Sequence, residues 1–195
     1  MTAVTRQLAL ADRAMNHLTD VVNSLTADDL DHSTPCRDWS VRDVLAHVAG
    51  TAAALAGDAR TGRRELPTEL VPLVDPVADT LSALADVRTA LAGGAGDPAD
   101  VRRVAGDVAI EFTTHAWDLD PGRALPDDLA SDVLALVSPV LTDELRQQFF
   151  APQAEAGPGA TASDRLVAFL GRDPAGVIPS RRPAPAAGMP ATSTD

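Results

Sequence analysis

Apolar residues recur at steps of three and four along the first part of the chain. In the segment from Thr5 to Leu25 they form one stripe: Leu8, Ala11, Met15, Leu18, Val22 and Leu25. Because an α-helix completes a turn in about 3.6 residues, these side chains lie on one face of a helix. That face must be buried against other elements, and the simplest partners are further helices with stripes of their own.

Start and stop signals predict five more helices. Ser40 is a candidate N-cap, with Asp43 three residues later as a variant of the capping box. Asp75 followed by Pro76 is a second N-cap signal. The expected ranges are 40–57, 76–91, 104–119, 127–150 with a kink or break at Pro139, and 163–170. Proline interrupts a helix because it lacks the backbone N–H and its ring clashes with the preceding turn.

The connecting segments are rich in proline, glycine and small polar residues. They are expected at 31–38, 58–74, the turn before 104, and 151–163. The segment VRRVAG (101–106) is a candidate minor strand, but no clear pairing partner exists. The fold class predicted is all-α, an up-and-down four-helix bundle with one or two additional C-terminal helices. Residues 1–178 are expected to form one domain and residues 179–195 a disordered C-terminal tail.

Charge and composition exclude several classes of function. The net charge is −12 and all 16 basic residues are arginine, so a polyanion such as nucleic acid is not an expected partner. The absence of lysine and tyrosine excludes Schiff-base chemistry and a tyrosine general acid. One cysteine, Cys36, allows no intrachain disulfide and fits a reducing cytoplasm. Arg6 and Asp12 interrupt the early apolar stretch, and no segment reaches the ~20 apolar residues of a membrane helix.

Three polar residues fall on the faces that these helices are expected to bury. His115 follows Glu111 by four residues, so both side chains share one helix face. His47 lies on the apolar stripe of the second helix, beside Val44 and Val48. Buried polar groups need partners, and two histidines with one glutamate match the ligand set of catalytic zinc. A solvated Glu–His pair and a packed histidine explain the same spacing, so spacing alone leaves both interpretations open.

Four neighbouring residues are candidates for supporting roles. Asp118 and Asp43 are candidates to orient metal-bound imidazoles through hydrogen bonds, or simply to cap helices. Trp39 and Trp117 are both expected to be core anchors, and Trp117, two residues after His115, is also a candidate wall of a pocket.

The remaining polar residues are weaker candidates for a functional role. Cys36 precedes a helix start, which favours a thiolate, but no histidine is locally paired with it; a buried structural thiol is the expected state. His17 is expected on a boundary face and His32 in a loop. Arg37 and Arg42 are candidates to hold a substrate carboxylate, with surface solvation the expected outcome.

Three stretches of the chain resemble the DinB-like superfamily. They are TPCRDWSVRDVLAHVAG (34–50), EFTTHAWDL (111–119) and DRLVAFLGRDP (164–174). The branch they resemble is that of the mycothiol-dependent maleylpyruvate isomerase N-terminal domain and its small actinobacterial relatives. The resemblance implies a four-helix bundle holding a divalent metal, usually zinc, on His47, Glu111 and His115. It also implies that Cys36 and Trp39 are not ligands, and it suggests a homodimer.

The resemblance implies an enzyme that uses a low-molecular-weight thiol such as mycothiol for S-transfer or isomerisation of a small electrophilic substrate. Two alternatives stay open: hydrolysis by metal-activated water with Asp118 or Asp107 as base, and a non-catalytic bundle that binds metal or ligand. The sequence departs from the family after WDL, where DPGRALPDDL places Pro121 at the helix end. We expect no separate C-terminal domain like that of the full isomerase, and therefore no maleylpyruvate isomerisation itself.

Overall fold

The computed structural model describes residues 2–36, 38–93 and 97–176, and these are built from α-helices. The helices are α1 (Ala3–Ser24), α2 (Val41–Thr61), α3 (Pro76–Ala92), α4 (Pro98–Leu119), α5 (Asp127–Val137), α6 (Asp143–Phe149) and α7 (Ala162–Phe169). Within those ranges the β-type pairing is limited to one antiparallel bridge between Ser33 and Ser40. The all-α fold class predicted from the sequence is confirmed.

The first four helices form the bundle, α5 packs against α4 and α1, and α7 packs against α5. The most extensive contacts join α1 to α4 and α2 to α3, and smaller ones join α2 to α4 and α1 to α3. The order around the bundle is therefore α1, α4, α2, α3, with α1 diagonally opposite α2. Large side chains with under 2% exposure fill the space between the helices: Leu18, Val22, Leu45, Val48, Leu55 and Phe112.

Capping residues explain where the helices begin. Ser40 accepts a hydrogen bond from the backbone N–H of Asp43, and the Asp43 carboxylate accepts one from the backbone N–H of Ser40. This is a complete capping box, as the sequence predicts. Asp75 caps α3, with Pro76 as its first residue. None of the described helices combines the length and apolar character needed to cross a bilayer.

Two helix boundaries differ from the prediction. Helix α4 begins at Pro98 rather than near 104, so the candidate minor strand at 101–106 is wrong. Asp97 accepts a hydrogen bond from the N–H of Ala99, which is the same Asp-Pro start signal that opens α3. Helix α2 continues past Gly57 to Thr61 and ends at Gly62, whose φ of 69° lies in the left-handed region that favours glycine.

The predicted break at Pro139 is confirmed, because α5 ends at Val137 and α6 begins at Asp143. The predicted limits of the domain and of the tail depend on residues 177–195, which lie outside the described residues. A single domain over 1–178 and a disordered tail over 179–195 stay predictions.

Candidate metal centre

Helices α2 and α4 bring the three sequence-predicted ligands together. His47 lies in the middle of α2, while Glu111 and His115 lie one turn apart on α4. The Nε2 atom of His47 is 2.8 Å from Oε1 of Glu111, and the Nε2 atom of His115 is 3.3 Å from the same oxygen. One potential ligand atom from each residue lies within 4.8 Å of the other two. A single ion fits among donors at this separation after small side-chain adjustments.

The triad has a buried side and an accessible side. The side chain of His115 is 8% exposed, whereas those of His47 and Glu111 are 29% and 25% exposed. The ring of Trp39 lies against His47, with ring centroids 5.0 Å apart. Trp117 is buried in the hydrophobic core, in agreement with its core-anchor interpretation. The accessible edge is therefore formed by His47, Glu111 and Trp39.

The charges of the triad are strongly coupled. Burial opposes ionisation of Glu111, but the positive charge of His115 and hydrogen bonds from both histidines outweigh it and hold the pKa of Glu111 well below its ordinary value. Burial also opposes protonation of His115, yet Glu111 and Asp118 together raise the pKa of His115 well above its ordinary value. The site thus favours a positive charge beside the Glu111 carboxylate. Two imidazoles and one carboxylate are also the donor chemistry of catalytic zinc sites, so the residues fit a divalent metal.

A fully buried carboxylate lies behind His115. Oδ2 of Asp118 is 3.0 Å from Nδ1 of His115, although the angle falls outside that of a well-formed hydrogen bond. Arg172 donates to both oxygens of Asp118, from Nε at 3.1 Å and from a terminal nitrogen at 2.8 Å. The thiol of Cys36 donates to Oδ2 of Asp118 at 3.2 Å. Burial opposes ionisation of Asp118, but the positive charge of Arg172 and the contact with His115 outweigh this effect and lower the pKa of Asp118.

Cys36, His115 and Asp118 also have potential ligand atoms within 4.8 Å of one another. A cation at this second group would meet the guanidinium of Arg172, which already binds both carboxylate oxygens of Asp118. Like charges repel in a buried site, so the group on the Glu111 side is the better metal site.

The other candidates from the sequence lie elsewhere. The Asp43 carboxylate is used in the cap of α2 and is not within 4 Å of an imidazole nitrogen, so its helix-cap interpretation is confirmed. His17 is half-buried on α1. His32 is exposed, 3.7 Å from Asp29. Arg42 is exposed, and Arg37 lies outside the described residues.

Sequence reasoning missed Arg172. Its position after Gly171 predicts only the end of a helix, and no local pattern connects it to a residue 54 positions earlier. Gly171 has φ of 80°, and a Cβ atom there would lie 2.5 Å from the carbonyl oxygen of Ala151. Glycine is thus required for the close turn that directs Arg172 back to α4.

Residues 11–120 match the family described as the mycothiol maleylpyruvate isomerase N-terminal domain. The chain belongs to this family. The matched segment runs from α1 to the end of α4 and includes His47, Glu111 and His115. Arg172 lies outside it.

Two relatives of the chain come from strains of Mycobacterium tuberculosis. They are the uncharacterized protein Rv0738 of strain H37Rv and the uncharacterized protein MT0763 of strain CDC 1551. Each is 27% identical over 178 residues, which cover 82% of this chain and 94% of the relative. The similarity therefore extends beyond the segment that the family match covers. No solved structure gives a significant match to this chain.

Proposed function

We propose that this protein is a divalent-metal-dependent enzyme, with zinc as the expected metal. It uses a low-molecular-weight thiol such as mycothiol for S-transfer to, or isomerisation of, a small electrophilic substrate. The observation that carries the proposal is the convergence of His47, Glu111 and His115 within 4.8 Å, in a chain whose family is named for a mycothiol-dependent isomerase.

In the proposed site His47, Glu111 and His115 hold the metal. A divalent metal with three protein ligands supplies a Lewis acid that favours the thiolate form of a thiol at neutral pH. The accessible edge at His47 and Glu111 admits the small molecules, and the ring of Trp39 gives that edge an apolar wall. His115 forms the closed end of the site, where water has little access.

The protein's own thiol is not the proposed nucleophile. The Cys36 thiol is half-buried and donates its hydrogen to Asp118, on the far side of His115 from Glu111. A thiol that arrives as a co-substrate at the accessible edge is better placed to attack an electrophile. This division of roles supports thiol transfer over a covalent intermediate on the enzyme.

The arrangement of the aspartates disfavours the hydrolytic alternative. Hydrolysis by metal-activated water needs a free general base. Asp118 is fully buried and bound by Arg172, and Asp107 is paired with Arg64. Both bases proposed from the sequence are therefore already paired with an arginine.

The proposed setting is the cytoplasm, where low-molecular-weight thiols are kept reduced and a lone cysteine is stable. The expected partners are a small substrate and a thiol, without nucleic acid or membrane. The homodimer suggested by the resemblance stays a prediction.

The first test is elemental analysis of protein purified without chelator, beside a His47→Ala, His115→Ala double variant. His32→Ala is the matched control, since this histidine is exposed and outside the triad. We expect about one equivalent of zinc in the wild type and in His32→Ala, and none in the double variant. A screen of mycothiol and glutathione against electrophiles then follows, with thiol consumption as the readout. A double variant that keeps its metal would contradict the ligand assignment, and a metal-loaded wild type that consumes no thiol would favour a non-catalytic bundle.

A further inference from the structure

Arg172 lies outside the family's matched segment, and it binds a carboxylate of α4. Its side chain is 14% exposed and its guanidinium binds both oxygens of Asp118, which is fully buried. Arginine presents its donors in a rigid planar fork, so two parallel bonds to one carboxylate fix the position and the plane of that carboxylate. The Cys36 thiol adds a third donor at 3.2 Å. Asp118 is therefore held in one orientation.

The fixed carboxylate faces the inner nitrogen of His115. A metal-binding histidine has two ring nitrogens. The group that contacts the non-ligating nitrogen fixes the orientation of the ring, and so the direction in which the ligating nitrogen points. Oδ2 of Asp118 lies 3.0 Å from Nδ1, while Nε2 lies 3.3 Å from Glu111 on the side of His47. Rotation of the Asp118 carboxylate would move Oδ2 away from Nδ1 and end this 3.0 Å charge contact on the inner side of the ring.

We infer that Arg172 is a positioning residue of the metal centre, which acts through Asp118 to keep Nε2 of His115 directed toward His47 and Glu111. The inference rests on the proposed metal-binding function and extends the centre to the segment after α7. It also assigns a role to Gly171, because only the left-handed turn at this residue lets the following arginine reach α4.

A nearby arginine provides a matched control. Arg146 of α6 donates to the backbone oxygen of Phe169 at 2.6 Å and lies over the ring of that residue. It stabilises the same C-terminal region without contact to Asp118. Arg146→Gln therefore reports what a loss of local stability alone does to the centre.

The test is zinc affinity measured by chelator competition on the full chain, for the wild type, Arg172→Gln, Arg172→Lys and Arg146→Gln. Loss of a partner outside the ligand set typically lowers metal affinity by about 10–100-fold, and we expect a loss of this size in Arg172→Gln. Arg172→Lys keeps the positive charge but not the two parallel donors, so its zinc affinity should lie between those of the wild type and Arg172→Gln. Arg146→Gln should match the wild type. If Arg172→Gln does not fold, Arg172→Lys carries the comparison.

A double-variant cycle separates positioning from general support. Because Arg172 acts through Asp118, removal of Arg172 should cost no further affinity in an Asp118→Asn background. If the double variant lost affinity by the product of the two single-variant losses, Arg172 and Asp118 would act independently and the inference would be overturned. Wild-type zinc affinity in both Arg172 variants would also overturn it. In those cases zinc binding by the wild type, lost in His47→Ala, leaves the proposed function intact. A wild type that binds no zinc overturns the proposed function and this inference together.

Discussion

His115 is the residue at which the two sides of the site meet. One ring nitrogen faces Glu111 and His47, and the other faces Asp118. Its raised pKa follows from carboxylates on both sides, which overcome the burial of the ring. A histidine held in this way has a fixed direction before any ligand arrives, and preorganisation of this kind favours tight metal binding.

The Glu111 carboxylate tests the ligand assignment most directly. Glu111→Gln keeps the size of the side chain but removes the charge that lies between the two imidazoles. We expect zinc affinity, measured by chelator competition, to fall by at least the ~10–100-fold that loss of an outer partner causes. Glu69→Gln, in an exposed loop, should leave affinity unchanged. Equal affinities in the two variants would remove Glu111 from the ligand set.

Trp39 offers an optical report of the site. Its ring lies 5.0 Å from that of His47, centroid to centroid, so binding of zinc at His47 should alter its fluorescence. The chain has two tryptophans, and the second, Trp117, is buried in the core. We expect the zinc-induced change in emission to disappear in Trp39→Phe and to persist in Trp117→Phe. The reverse pattern would place the metal elsewhere.

At the scale of the element, α4 organises the whole site. Glu111, His115 and Asp118 follow one another at steps of four and three, so they share one face of the helix. This spacing made the proximity of Glu111, His115 and Asp118 predictable from the sequence. The contribution of α2 was less local: His47 was predictable from its place on an apolar stripe and from the family resemblance. The start of α4 was missed because Asp97-Pro98 lies within a segment that resembles a turn.

The contact between α2 and α4 has a second anchor away from the site. Asp58, fully buried in the last turn of α2, accepts two hydrogen bonds of 2.9 Å from Arg103 of α4 and one of 2.9 Å from Arg64. Asp58→Asn weakens this network, but both arginines are partly exposed and regain water. We expect a loss of about 1–2 kcal/mol in the free energy of unfolding, measured by urea titration. Asp86→Asn, which breaks an exposed pair with Arg60, should have a much smaller effect.

The hydrogen bonds of Asp58 also predict a pH dependence of the free energy of unfolding. Hydrogen bonds from Arg103 lower the pKa of Asp58 despite its burial. A carboxyl whose pKa is lower in the folded state contributes stability above its unfolded pKa, about 4, and loses it as pH falls through the folded value. The stability difference between the wild type and Asp58→Asn should therefore be constant from pH 7 to about 5 and shrink in acid. A difference that grows as the pH falls would contradict the assignment.

For the whole molecule, the apolar stripes predicted a helical bundle because they mark which face of each helix is buried. They do not mark which helix covers that face, so the order α1, α4, α2, α3 was not predictable from periodicity. For the same reason the return of Arg172 to Asp118 was hidden: the contact joins residues that share no local pattern. The three candidate ligands were therefore predictable from the sequence, whereas the contact that Arg172 makes through packing was not.

The ligands come from two neighbouring helices, α2 and α4, and each of these packs closely against a further helix of the bundle, α2 against α3 and α4 against α1. A bound metal should therefore stabilise the fold as a unit. A ligand that binds only the folded state, at a free concentration of about 100 times its Kd, raises the free energy of unfolding by about 2.7 kcal/mol. For a domain of this size, each kcal/mol raises Tm by about 2–4 °C, so zinc should raise Tm by roughly 5–10 °C. The measurement is thermal unfolding with buffered zinc and after removal by chelator. His47→Ala, His115→Ala protein should show no shift, and an equal shift in that variant would place the stabilising metal at another site.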